Sequence, residues 1–180
     1  MEILMIPSFG EQAFRDLMAG VCAPVTIVTA TAEGLPHGTT VSAFASLSLR
    51  PPMVTVALDR GSRVLSHITA TGRFGVNVLA RTQDDLALGF ARRGADRFAG
   101  VDWDFDHSLP RIESAPGWLV CEVTQAVDGG DHLLILGLVT HAKTTPAAPL
   151  VYGHRTFGTH SAFADRPRHT IREHVAACAR

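Results

Sequence analysis

Two long apolar segments in the second half of the chain, Trp118–Val127 and His132–His141, are separated only by Asp128-Gly129-Gly130-Asp131. Their β-branched and aliphatic residues are typical of strands. A short turn rich in glycine and aspartate between two such segments is a strong signal for a β-hairpin. The sequence therefore predicts that one hairpin supplies the two longest strands of the core.

Shorter elements precede and follow this hairpin. The capping-box spacing of Ser8 and Glu11 predicts a helix that continues to Met18 and ends at Gly20. We also predict strands over 24–31, 39–45, 53–58, 74–79 and 150–152, short helices over 64–70 and after a cap at 82–85, and a tail helix over 171–179. Residues 94–116 show no regular pattern and are predicted to be irregular.

This organisation gives six or seven strands with short helices between only some of them. Regular βαβ alternation is missing, and no G-x-G-x-x-G sequence follows the first strand, which argues against a Rossmann sheet. A mainly β fold, an antiparallel barrel or sandwich, fits the pattern better. We expect one domain over residues 8–160 and a charged C-terminal tail, 161–180, that could be helical.

The composition narrows the class of protein. A formal net charge of −1 provides no overall basic field for nucleic acid. The three cysteines are far apart and form no C-x-x-C pair, and no H-x-x-x-H or G-x-S-x-G sequence is present, so we expect neither a metal site nor a hydrolase triad. No apolar run approaches the ~18 residues of a membrane span, and the first ten residues lack a signal-peptide pattern. We expect a cytoplasmic protein without membrane or nucleic-acid partners.

The densest polar stretch within core-like sequence is Gly38–Arg50. It carries five hydroxyl side chains, those of Thr39, Thr40, Ser42, Ser46 and Ser48. Ser46 and Ser48 alternate with apolar neighbours, so an extended chain would place hydroxyls on one face and apolar residues on the other. Such a face suits phosphate oxygens or the polar edge of a flavin ring. The alternative is a strand with ordinary half-exposed Ser and Thr residues.

Three further segments could bind a ligand. Asp59-Arg60-Gly61-Ser62-Arg63 follows a strand and begins a helix, which suits an anion, although a plain helix cap with solvated charges has the same pattern. Gly130-Asp131-His132 places a histidine at the start of a long strand, where it could also be an idle surface residue. Tyr152–Phe157, which includes Arg155, could stack on a ring or bind phosphate, or form a loop at the barrel end.

Taken together, these segments resemble the flavin-reductase-like proteins, the reductase components of two-component flavin monooxygenases. The S-x-F-x-S-x-S-L-x-P-P stretch, then F-x-V-N-V-L, then G-D-H occur in the family's order and at its separations. The matching pieces are Phe14–Val28, Gly38–Val56, Ser62–Leu79, Gln83–Phe98, Gly130–Gly137 and Pro149–Phe157. They cover about residues 12 to 158 of the chain.

The resemblance implies a split barrel of antiparallel strands with short flanking helices, usually a homodimer. It implies hydride transfer from NADH or NADPH to FMN or FAD, with reduced flavin passed to a partner monooxygenase. By position, the flavin would be lined by Thr39, Thr40, Val41, Ser42, Ser46 and Ser48. Asp59, Ser62 and Arg63 would meet its phosphate end, and Asn77 would support the same pocket. His132 would contact the nicotinamide, with help from Arg155.

One departure from the family pattern lies after Tyr152. Relatives carry an H-G-R-x-Y-like string there, whereas this chain has Gly153-His154-Arg155-Thr156-Phe157. The change falls in the segment expected to help bind the nicotinamide, and not in the segments expected to bind the flavin. Two alternatives stay open: a flavoprotein that keeps FMN as a prosthetic group for another reduction, and a non-enzymatic flavin or haem binder on the same barrel.

Overall fold

In a computed structural model, the structure describes residues 10–92, 94 and 96–163. The helices of this part are α1 (Glu11–Ala19), α2 (Arg63–Thr71) and α3 (Asp84–Ala91), with a short 3₁₀ helix at Ser161–Phe163. The strands are β1 (Ala23–Pro24), β2 (Thr26–Ala32), β3 (Leu35–Val41), β4 (Phe44–Leu49), β5 (Pro52–Asp59), β6 (Arg73–Val78), β7 (Trp103–Asp106), β8 (Leu109–Ile112), β9 (Gly117–Gly129), β10 (His132–Thr144), β11 (Val151–Gly153) and β12 (Thr156–Gly158). The predicted cap at Ser8 and the predicted tail helix over 171–179 lie outside the described residues.

Seven strands form one antiparallel sheet in the order β3-β2-β6-β9-β10-β5-β4. Its two edge strands, β3 and β4, are consecutive in the chain and are joined by only Ser42 and Ala43. The Cα atoms of Val41 and Phe44 can therefore lie at most about 11 Å apart, because each residue spans no more than ~3.6 Å. The sheet must curl until its edges meet, which produces a barrel that is split between β3 and β4. The predicted antiparallel split barrel is confirmed.

Large apolar side chains fill the barrel. Phe74 and Val76 of β6, Val28 of β2 and Ile135 of β10 are all almost inaccessible to solvent. The helix α2 packs Val64, Leu65 and Ile68 into the same cluster. A second cluster lies under α3, whose Ala87 and Phe90 pack with Ile27, Leu79, Ile112 and Leu150. The packed interior fixes the positions at which β3, β5 and α2 meet at the barrel's surface.

The predicted β-hairpin is confirmed, with β9 and β10 joined through Gly130 and Asp131. The predicted strand over 39–45 is wrong, because the chain leaves β3 at Val41 and begins β4 at Phe44 on the other edge of the sheet. The expected alternation along β4 is wrong as well. A register shift between Ser46 and Ser48 bulges this edge strand, and both Leu47 and Leu49 are exposed. A bulge breaks the two-residue period on which the expectation depended.

The segment predicted to be irregular contains the hairpin β7–β8. Its strands are four residues long, and its turn uses His107 and Ser108 with positive φ angles of 52° and 64° rather than a glycine or asparagine. The hairpin is anchored on β2, where Thr29 Oγ1 donates to Pro110 O at 2.8 Å and Thr31 Oγ1 donates to Ser108 O at 2.7 Å. The hairpin could not be predicted from its own sequence, because the hydrogen bonds that hold it come from side chains of the distant strand β2.

The N-caps of the three helices differ in how their side chains are used. Gly10 is the N-cap of α1, and Gln83 is the N-cap of α3, within the predicted cap at 82–85. Gln83 fixes the turn before α3 by accepting a hydrogen bond from the backbone N–H of Ala80 at 2.7 Å. Ser62 is the N-cap of α2, as predicted, but its hydroxyl makes no capping hydrogen bond.

Gly137 of β10 is expected to tolerate no side chain. A Cβ there would lie 2.5 Å from Phe74 Cζ and 2.9 Å from its Cε1, in the middle of the barrel core. Gly137→Ala should lower the free energy of unfolding by about 1–3 kcal/mol, the usual cost of overpacking, measured by urea denaturation. Gly129→Ala in the adjacent strand is the matched control, since its Cβ would meet nothing closer than His132 O at 3.6 Å. Equal stability of the two variants would contradict this account of the core.

Candidate functional site

A cleft of about 650 Å³ opens where β3, the start of α2 and the segment after α3 meet. Its lining residues are Pro36, His37, Gly38, Thr39, Asp59, Gly61, Ser62, Arg63, Val64, Ala91, Gly94, Asp96, Arg97 and Phe98. We call it the basic cleft. It brings together Thr39, Asp59, Ser62 and Arg63, which the sequence placed in two separate candidate segments.

The first turn of α2 supplies hydrogen-bond donors to the basic cleft. Ser62 has extended backbone angles, φ −71° and ψ 123°, and the helix begins at the next residue. The backbone N–H groups of the first turn have no partner within the helix and carry its partial positive charge. Asp59 accepts a hydrogen bond from the N–H of Gly61 at 2.6 Å, so its carboxylate stabilises the turn before the helix. A helix start with free donors beside Arg63 can bind an anion.

Arg97 enters the same cleft from the segment after α3. Its Nη1 donates to Gly38 O of β3 at 2.6 Å, and its Nε donates to Arg92 O at 2.9 Å. Partial burial lowers the pKa of Arg97, and the charge of Arg63 lowers it further. Strand β3 can approach α3 this closely because Gly38 has no side chain: a Cβ there would lie 2.7 Å from Phe90 Cε1.

His37 of β3 lines the cleft and packs against His67 of α2, with ring centroids 4.1 Å apart. Burial lowers the pKa of His37, and the charges of His67 and Arg63 lower it further. Sequence reasoning singled out neither His37 nor Arg97. The one available signal for Arg97 was its place in the Gln83–Phe98 segment that resembles the family.

The predicted nicotinamide contact, His132, lies beside the basic cleft. As the first residue of β10 it pairs with Asp59, the last residue of β5. Its Nδ1 lies 2.8 Å from Asp131 Oδ1, and the hydrogen bond from His132 lowers the pKa of the Asp131 carboxyl. The imidazole is half-exposed, so it remains accessible to a ligand from solvent.

Arg60 fastens the turn that carries His132. Its backbone N–H donates to Asp131 O at 3.1 Å, its Nε donates to Gly130 O at 2.9 Å, and its guanidinium forms an ion pair with Asp128. Three contacts from one residue join the start of α2 to the β9–β10 turn. Sequence reasoning included Arg60 in an anion-binding segment, but the structure directs it to the hairpin.

A second cleft, of about 870 Å³, lies between α1, β11 and the link from β3 to β4. Its lining is mostly apolar: Gln12, Arg15, Met18, Ala19, Val21, Ala23, Ser42, Ala43, Tyr152 and Arg155. We call it the apolar cleft. It holds two predicted residues, Ser42 and Arg155. Arg155 Nη2 pairs with Asp16 Oδ1 at 2.5 Å, and this hydrogen bond is the main cause of the lowered pKa of Asp16.

The structure places the other predicted residues outside both clefts. Thr40 Oγ1 donates to Ala87 O at 2.6 Å, and Val41 is buried in the core. Ser46 and Ser48 lie on the edge strand β4. Asn77 is completely buried: its Nδ2 lies 3.3 Å from Ile27 O and 3.5 Å from Pro110 O, and its Oδ1 accepts from Ile112 N–H at 2.8 Å. Its amide joins β6 to β2 and β8, which is a structural role.

A family profile described as "flavin reductase like domain" matches residues 18–161. The chain belongs to the flavin reductase-like family. It is 35% identical over 82% of its length to the reductase subunit of a flavin-dependent monooxygenase from Mycobacterium tuberculosis, of which it covers 81%. It is 38% identical over 85% of its length to an NADH:riboflavin 5'-phosphate oxidoreductase from Streptomyces pristinaespiralis, of which it covers 90%. It spans 43% of a longer probable flavin reductase from Rhizobium meliloti.

Among solved structures, an NADH:FAD oxidoreductase of Streptomyces globisporus with bound NAD and FAD fragments has a TM-score of 0.82 at 29% identity. The match covers 91% of this chain and all of the other. These relatives confirm the predicted family and its enzyme class, a flavin oxidoreductase. In the part of the chain that the structure describes, no helix is long and apolar enough to cross a membrane.

Asn77→Asp is expected to destabilise the fold without weakening flavin affinity of the folded protein. The substitution would aim a carboxylate oxygen, instead of an amide donor, at two buried carbonyl groups. We expect a loss of about 2–3 kcal/mol in the free energy of unfolding, measured by urea denaturation. Gln125→Glu, the same change at an exposed position of β9, is the control. Unchanged stability together with weakened flavin binding would instead make Asn77 a ligand contact.

Proposed function

We propose that this flavin reductase transfers hydride from NADH or NADPH to a flavin nucleotide whose phosphate end lies in the basic cleft. The observation that carries the proposal is the concentration of donors there: the first turn of α2, Ser62, Arg63 and Arg97. Guanidinium groups and helix N-termini suit phosphate oxygens in both charge and geometry. The donor set therefore fits a phosphorylated flavin.

Strand β3 leads from the basic cleft toward the apolar cleft. Thr39 lines the first and Ser42 lines the second, and three residues of extended chain span about 10 Å. A ligand with a phosphate at one end and a large ring at the other matches this arrangement. Met18, Val21 and Tyr152 of the apolar cleft supply contact surface for the ring, while the hydroxyl of Ser42 supplies a hydrogen bond.

A bound flavin supplies the redox chemistry, since it accepts the hydride that the nicotinamide donates. The protein's part is to bind and orient the two molecules. Arg63 and Arg97 hold the phosphate, and His132 contacts the nicotinamide at the rim, where Arg60 fixes the turn on which it lies. Arg155 is engaged by Asp16, so its proposed contribution requires that this exposed ion pair opens.

We propose a homodimer and a monooxygenase partner that receives the reduced flavin. Leu47 and Leu49 on the bulged edge strand β4 are 48% and 80% exposed and could be covered by a second copy. The Mycobacterium tuberculosis relative is named as a monooxygenase subunit, which supports such a partner. We also propose a cytoplasmic location, where Cys22 and Cys121 would remain free thiols, as they are in the structure.

The activity is tested by following the loss of NADH or NADPH absorbance with FMN, FAD or riboflavin added. We expect flavin-dependent oxidation that is faster with phosphorylated flavins than with riboflavin. Absence of oxidation with every pair would refute the reductase. Flavin that stays bound through purification, and is not exchanged during turnover, would show a prosthetic group instead of a flavin substrate.

His132→Ala is expected to raise the apparent KM for the nicotinamide about tenfold, the size of one hydrogen bond to a charged or polar ligand group, with little change for flavin. Steady-state kinetics with each substrate varied in turn measures the difference. Arg60→Ala frees the turn but keeps the imidazole, so its effect on the same KM should be smaller. Unchanged kinetics of His132→Ala with both substrates would refute the assignment of His132.

A further inference from the structure

We propose that His37 and His67 form, together with Arg63 and Arg97, a subsite for a phosphate group, and that the histidine pair takes up a proton when the phosphate binds. The inference rests on the proposed function, because it names the ligand chemistry of the same cleft. It adds two histidines from different elements and a dependence on pH.

The geometry places one imidazole, that of His37, at the wall of the cleft, and the other directly against it. His37 of β3 lines the cleft directly, and the ring of His67 packs against it with a centroid distance of 4.1 Å and an angle of 39° between ring planes. On α2, His67 follows Arg63 by four residues, so the two side chains lie on the same face of the helix. Arg63 and His37 therefore line the cleft from adjoining positions, with His67 beside them.

Charged groups of both signs surround the pair, and among the residues that the structure describes the two guanidinium groups have no carboxylate partner. Arg63 faces His37 from α2, Arg97 approaches from the segment after α3, and Glu33 acts weakly from the turn before β3. Asp59 and Asp96 also line the cleft, but their carboxylates accept hydrogen bonds from the backbone N–H groups of Gly61 and Phe98, respectively. Within the described residues, no ion pair joins Arg63 or Arg97 to a carboxylate.

The direction of the pH dependence follows from these charges. In the free protein, burial and then the charges of His67 and Arg63 lower the pKa of His37 from its ordinary value near 6.5, so this imidazole is largely neutral at neutral pH. A bound phosphate dianion would reverse the local field and raise the pKa of His37. Binding then takes up a proton, and by linkage the affinity rises as the pH falls from the histidine pKa of the complex toward that of the free protein.

Two molecules of the proposed reaction carry this chemistry. The flavin nucleotide brings a phosphomonoester or a pyrophosphate, and the nicotinamide dinucleotide brings a pyrophosphate. The shared ligand class is therefore a phosphate group, and the experiment must identify its source. FMN against riboflavin isolates the flavin phosphate, whereas ADP reports a pyrophosphate without flavin or nicotinamide.

The test is isothermal titration calorimetry of the full chain with FMN, riboflavin and ADP at about pH 7, in buffers of different ionisation enthalpy so that proton uptake is read directly. We expect uptake with FMN and none with riboflavin, and an affinity for FMN about fivefold higher at about pH 6.5 than at about pH 8.5. Uptake with ADP but not with FMN would retain the subsite and assign it to the dinucleotide.

His37→Gln and His67→Gln should each remove most of the proton uptake and flatten the pH dependence while riboflavin affinity is unchanged. His107→Gln is the matched control, since His107 and His141 form a second packed pair, with centroids 4.5 Å apart, away from the cleft.

Urea denaturation identifies any variant that has lost its fold. If one of the two histidine variants has done so, the proton uptake of the other tests the proposal. Binding of FMN and of ADP that in neither case takes up a proton, or uptake that is retained in the folded His37 or His67 variants, would overturn the proposal. Failure of both FMN and riboflavin to bind at any pH would refute the proposed function itself.

Discussion

The two-residue link between β3 and β4 determines the shape of this protein. Ser42 and Ala43 join the opposite edges of a seven-stranded sheet, so the sheet cannot stay open. Curling creates an interior, and that interior is filled by large rings such as Phe74, which fits because Gly137 on β10 carries no side chain. Closure also leaves β3 and β4 without a ladder between them in the described part of the chain, and the apolar cleft opens beside this split.

Closure also assembles the basic cleft from parts that are distant in sequence. The register of β5 with β10 sets His132 opposite Asp59, and α2 begins four residues after Asp59. The packing of α2 on β2 and β3 then brings Arg63 next to His37. The site is therefore a consequence of strand register, and a one-residue slip in β5 would move both its acidic and its basic groups.

Much of the fold was readable from the sequence because its signals are local. The Gly-Asp turn predicted the β9–β10 hairpin, and Ser62 before an apolar stretch predicted α2. Arg97 was not predictable in this way, because its position depends on the carbonyl of Gly38, which is 59 residues away. Asn77 was assigned to the flavin pocket by its place in the V-N-V-L strand, whereas its burial and its three backbone partners depend on distant segments and left no local signal.

The acidic residues of the basic cleft stabilise turns, and in the described part of the chain they form no ion pair with its guanidinium groups. Asp59 and Asp96 line the same cleft as Arg63 and Arg97, and each carboxylate accepts from a backbone N–H two residues ahead and stabilises its own turn. The guanidinium charges, which repel one another across the cleft, are thus left for a ligand. An anion that enters would reduce this repulsion as well as form its own contacts, so the proposed phosphate subsite should favour ligands with concentrated negative charge over neutral ones of the same shape.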